Sequence, residues 1–137
     1  MTFKESFDIL EYWLESKRYT LSLETGADDA VYYNCKHVVL NSRNHIEKRL
    51  YVLLHECGHV LIDNGKRDRL FSISKTTEAI MGKKESRKRR VAVLSEEVEA
   101  WKRGERLARR LGIDINYEKF DKISADAIIS YVEWAKD

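Results

Sequence analysis

The chain has no proline and only two cysteines among its 137 residues. Without proline, helix ends must be read from caps, glycines and changes of period. The two cysteines, Cys35 and Cys57, are too few for a disulfide framework, and both are expected to be reduced. Long apolar runs are also missing: no stretch approaches the ~20 residues that would cross a bilayer. Met1 to Glu15 is interrupted by Lys4, Glu5, Asp8, Glu11 and Glu15, so it lacks the uninterrupted apolar segment of a secretory leader. Neither sign of charge dominates, since 25 Lys and Arg against 23 Asp and Glu leave a net +2. These absences predict a single domain over residues 1–137, cytoplasmic and off the membrane. At this length the chain can bury a core without a staple. Its 35% charged residues predict a heavily charged surface.

What is present divides into elements by period. Residues 3–16 place Phe3, Phe7, Leu10 and Leu14 at helical spacing, with Trp13 beside them. Residues 18–41 are rich in β-branched and aromatic residues and are punctuated by Gly26, Asp28, Asp29, Asn34 and Asn41, which predicts a small antiparallel sheet. Residues 46–63 return to helical period, with Gly65 as a C-cap. Residues 66–90 are polar and aperiodic and read as a long mobile loop with room for one short helix. A third helix over 91–111 stops at Gly112. A fourth over 117–135 carries Phe120, Ile123, Ala127, Tyr131 and Trp134 on one side. The class is α+β: a small sheet packed on one central helix, with two or three further helices.

Residues 55–59 read His-Glu-Cys-Gly-His. Side chains four apart share a helix face, so His55 and His59 can grip one metal ion while Glu56 beside them can take a proton from water. At ~100° per residue both histidines fall on the side of Lys48 and Val52. Leu50, Leu53, Leu54, Cys57, Val60 and Leu61 fall opposite, which gives the helix one face for a core and another for chemistry. The bland alternative is a chance cluster on a solvated face. Cys57 points to the core and reads as a small buried hydrophobe rather than a ligand. Gly58 would let another segment approach closely.

A hydrolytic zinc site needs a third protein ligand and an open fourth position. In the third helix, Glu97 shares a face with Val93, Leu94, Ala100, Trp101, Gly104, Ala108 and Leu111. Glu96 and Glu99 fall on the polar side with Lys102, Arg103 and Arg106, and Glu105 lies two turns further on. A carboxylate on a packed face is costly unless it is paired or coordinates a metal, so Glu97 is the best third ligand. Pairing with a buried Arg or Lys is its alternative. His37 and His45 are further ligand candidates.

The segments LLHECGHVLID and EEVEAWKRGERLA resemble the ImmA/IrrE family of zinc metallopeptidases, which includes short versions from bacteria and phages. The resemblance spans the strands to the third helix. The family's second motif reads approximately E-x-x-A-N, and its Glu and Ala correspond to Glu97 and Ala100. The resemblance implies a minimal zincin fold and one zinc per chain on His55, His59 and Glu97. It also implies a protein or peptide substrate hydrolysed with Glu56 as general base. The strand near His37 to Leu40 would be the edge along which a peptide lies. The sequence departs from the family at Trp101, which stands where Asn or Asp is usual. Tryptophan can only donate, so the acceptor that orients a ligating histidine must come from elsewhere, with Asp63 a candidate. Tyr32, Tyr33, His37 and Tyr117 are candidates for an oxyanion donor.

Lys83, Lys84, Arg87, Lys88, Arg89 and Arg90 form a basic run before the third helix. It could contact nucleic acid, but the balanced net charge and the lack of interleaved aromatics favour a solvated loop. Two rival functions follow: a non-catalytic zinc-binding interaction module, and a nucleic-acid-binding regulator that uses residues 83–90.

Overall fold

A computed structural model describes residues 1–64 and 86–136. The expected cap at Gly65, most of the expected loop over 66–90 and the basic residues Lys83 and Lys84 lie outside them. The order is α1 (Phe3–Ser16), β1 (Thr20–Glu24), β2 (Ala30–Tyr32), β3 (His37–Asn41), α2 (Ile46–Asn64), α3 (Arg87–Leu111) and α4 (Tyr117–Lys136). Among the described residues, four helices and a three-stranded sheet make an α+β fold. No helix among the described residues is long and apolar enough to cross a membrane.

Local chemistry sets the ends of these elements. Thr2 and Glu5 form a reciprocal capping box that starts α1. Ser86 caps α3 by accepting from the Arg89 backbone N–H at 3.1 Å. Gly112, left-handed at φ 72°, ends the same helix. Helix α3 therefore begins at Arg87, one turn before the sequence predicts, because the Ser86 cap outweighs four consecutive basic residues at the positive end of the helix dipole. The basic residues Arg87 to Arg90 are thus helical, and the run is not all loop.

The sheet is mixed rather than antiparallel, in the order β1-β3-β2. β2 and β3 pair antiparallel, with Val31 opposite Val38. The chain reaches β2 at the far edge and turns back, so β3 runs parallel to β1, with Leu21 opposite Val38. β3 is therefore the central strand, and its buried Val38, Val39 and Leu40 form the sheet's core. The edge expected at His37 to Leu40 belongs instead to β2.

Helix α2 is the central element, with residues 50–60 all buried. Leu50, Leu53, Leu54, Cys57 and Val60 pack with Leu10 and Leu14 of α1 and with Val38 and Leu40 of β3. Its other side lies against α3, and the crossing is close. A Cβ on Gly58 would stand 1.9 Å from the Ala100 carbonyl oxygen, and one on Gly104 would stand 2.3 Å from that of Leu54. The small residues Gly58, Ala100 and Gly104 let backbone meet backbone there. Helix α4 docks through buried Phe120. Its start is tied to α2, since Tyr51 Oη accepts from the Asn116 N–H at 2.9 Å and donates to Glu47 at 2.8 Å. Lys119 donates to the same carboxylate at 3.0 Å.

Candidate metal centre

The α2–α3 crossing brings the predicted ligands together. Glu97 lies one turn before Ala100, and the contact of Ala100 with Gly58 sets it opposite the two histidines. Glu97 Oε2 is 2.9 Å from His55 Nε2 and 2.9 Å from His59 Nε2. The two Nε2 atoms are 3.2 Å apart. All three residues are buried, at 7%, 7% and 8% exposure.

This donor set fits a divalent cation. Tetrahedral ligands held ~2.0–2.1 Å from zinc lie roughly 3.3–3.4 Å from one another, and the three edges here are close to that. With both Nε2 atoms protonated, two protons would crowd onto one carboxylate oxygen while the nitrogens that carry them lie only 3.2 Å apart. A single cation at the centre of the triangle satisfies all three. Two neutral nitrogens and one carboxylate form a borderline donor set that suits zinc.

Electrostatics supports ionised Glu97. Burial alone would raise its pKa, but the charge of His59 and hydrogen bonds from both histidines hold it well below the carboxylate range. At His59 burial works downward, and the charge of Glu97, with the nearby Glu96 carboxylate and a hydrogen bond to Glu97, carries the pKa well above its ordinary value. Glu56 is 4% exposed, with Oε1 3.9 Å from His55 Nε2. Burial pushes its carboxyl upward against the opposing charges of His55 and His59. Such an elevated carboxyl is the usual condition of a general base working near neutral pH.

Above the triad lies a cavity of about 600 Å³. Glu56 and the three ligands form part of its lining, with Ala30 and Val31 of β2 on one side and Ile123, Ala127 and Tyr131 of α4 on another. The Tyr131 hydroxyl is raised far above its usual range, first by burial, then by the charge and hydrogen bonding of Glu97. Tyr131 thus stands beside the metal point, a neighbour the sequence reading did not assign. Its signal was present, because it falls on the α4 face of Phe120, Ile123 and Ala127.

Other expectations are redirected. Glu96 does not point away from the site. It is buried, and Oε2 lies 3.5 Å from His59 Nδ1, so its charge faces the back of that imidazole. Adjacent Glu96 and Glu97 face the two nitrogens of the His59 ring. Glu99 pairs with Arg103 at 3.0 Å and Glu105 with Arg109 at 2.7 Å, both away from the centre. His37 bonds Thr20 and Ser22 on the sheet, and His45 accepts from the Glu47 N–H at 3.3 Å, so neither is a ligand. Of the expected oxyanion donors Tyr33 lines the cavity, whereas Tyr32 is exposed and Tyr117 bonds Glu105. Cys57 is buried in the core, as its helix face predicts, and its thiol pKa is pushed up by that burial.

Compared with protein-family models, curated proteins and solved structures, the chain matches none.

Proposed function

We propose that this protein is a zinc-dependent metallopeptidase that hydrolyses peptide bonds of a specific protein substrate, as its resemblance to the ImmA/IrrE family implies. The observation that carries the reading is the convergence of His55, His59 and Glu97 on one point with Glu56 buried beside it. A purely structural site has no use for a buried acid beside its ligands, and it normally closes its fourth position. A zinc ion held by these three residues would supply Lewis-acid chemistry, acidifying a water and polarising a carbonyl.

The chain's own residues would do the rest. Glu56 takes the proton of the attacking water and delivers it to the leaving amine. Tyr131 donates its hydroxyl proton in a hydrogen bond to the oxygen that becomes negative. The Glu96 carboxylate, 3.5 Å from His59 Nδ1, favours the proton on that nitrogen by its charge and so leaves the Nε2 lone pair for the metal. The unpaired edge of β2, which borders the cavity, offers backbone groups to an extended peptide added as a further strand.

Incubating zinc-loaded wild type and Glu56→Gln with a mixture of proteins and reading newly created N-termini by mass spectrometry tests this. Wild type should generate defined cleavages and the variant none, with zinc retained in both. Cleavages that persist in the variant, or a wild type that makes none, would count against a peptidase and favour the non-catalytic zinc module.

A further inference from the structure

The two histidines of the centre are held by different means. His59 Nδ1 faces the Glu96 carboxylate. That contact falls short of a hydrogen bond, and His55 Nδ1, also buried, has no hydrogen-bond partner among the described residues either. Its ring instead lies flat on Trp101, with centroids 4.3 Å apart and planes 23° from parallel. Trp101 is itself buried at 5% exposure. Phe120, buried on α4, meets the indole edge-on at 5.6 Å and 79°, and it also meets Tyr51 of α2 at 5.4 Å and Tyr117 at 6.4 Å, both edge-on. The spacing between the stacked rings is fixed by backbone, because Gly104 packs on the Leu54–His55 peptide and Ala100 on Gly58, on either side of Trp101.

We propose that Trp101 is the positioning residue of His55: its indole, backed by Phe120, fixes the plane of the imidazole by stacking and so aims Nε2 at the metal point. The inference rests on the metal-site reading above and extends it. An imidazole ligand needs its plane fixed, and a carboxylate or carbonyl on the second nitrogen is the common means. Tryptophan has no acceptor to offer, but a flat aromatic face at van der Waals distance resists rotation of the ring out of plane. One ring thus has a carboxylate charge behind it and the other an aromatic face. The stack also makes the docking of α4, through Phe120, part of the geometry of the metal point.

The test measures zinc affinity of the full chain by chelator competition, the visible absorption of its cobalt-substituted form, and thermal unfolding of the metal-free protein. The proteins compared are wild type, Trp101→Phe, Trp101→Leu, and Leu14→Ala as a core control distant from the centre. Trp101→Leu should weaken zinc binding by about 10–100-fold, the usual cost of removing a group that orients a ligand, and should shift the cobalt spectrum. Trp101→Phe keeps a ring on the imidazole and should lose less. Leu14→Ala should lower the unfolding temperature and leave zinc affinity unchanged. Wild-type affinity in Trp101→Leu, equal losses in the Phe and Leu variants, or an equal loss in Leu14→Ala would overturn the proposal. If Trp101→Leu does not fold, Phe120→Leu replaces it, and unchanged affinity there would overturn the role of the backing ring. A wild type that binds no zinc would instead bring down the metal-site reading itself.

Discussion

At the scale of single residues, a cation held by His55, His59 and Glu97 would compete with protons for the same atoms. His59 must lose its Nε2 proton to become a ligand, and the carboxylates around it hold that proton above the usual 6.5. Zinc affinity measured over roughly pH 6 to 9 should therefore keep rising with pH beyond the range in which a free imidazole has finished titrating. A plateau reached at the ordinary imidazole pKa would contradict this. In the metal-free protein both members of the pair contribute to stability, with opposite dependence on pH. The folded pKa of Glu97 is lowered from 4.5, so its contribution is present above that value and fades as pH falls through the folded pKa. The folded pKa of His59 is raised from 6.5, so its contribution is full below that value and fades as pH rises through the folded pKa. Thermal melts of chelator-treated protein should show the pair's contribution greatest between these two values. His59→Ala should flatten the alkaline side. Residue identity made the grouping of His55, His59 and Glu97 legible from sequence, because metal chemistry favours those types at those spacings. The role of Glu96 was not legible, since a rotation of α3 smaller than one residue's angular step decides whether Glu96 or its neighbours face His59.

At the scale of elements, the crossing of α2 and α3 makes the site. Neither helix carries all three ligands, so their separation must be right to a fraction of an ångström. Gly58 and Gly104 set it, each without room for a methyl group against the partner's backbone. Gly58→Ala and Gly104→Ala should each destabilise the fold by about 1–3 kcal/mol, the usual range for overpacking a tight contact. Both should also lose zinc by forcing Glu97 away from the histidines. Calorimetry with metal analysis checks this, and a variant that keeps full stability and zinc would show that the crossing has slack. The helices were readable in outline because their periodicity is strong and their stops, such as Gly112, are chemical. The sheet was less so. Strands of three to five residues carry no sign of parallel or antiparallel pairing, which follows from the path of the chain between β1 and β2.

At the scale of the whole molecule, the cavity is assembled from parts that no local pattern relates: an edge strand, the central helix pair and the face of α4 that carries Tyr131. What holds α4 in place is polar as well as apolar. The Tyr51 hydroxyl, pushed up to about 12 chiefly by burial, stays protonated and bridges Glu47 to the Asn116 backbone. Tyr51→Phe should leave the Asn116 N–H without that partner and cost about 1–3 kcal/mol, with hydrogen exchange rising at the start of α4. Unchanged exchange there would show that Phe120 alone docks the helix. Long-range relations of this kind, residue 51 to residue 116, leave no trace in periodicity, so the α4 wall had to be found in three dimensions. The central claim remains the three-ligand metal centre, and metal content tests it most directly. Purified wild type supplied with zinc should hold about one equivalent, and His55→Ala and Glu97→Ala should each lose it. A wild type that binds none, or a Glu97→Ala that keeps its full complement, would contradict the account.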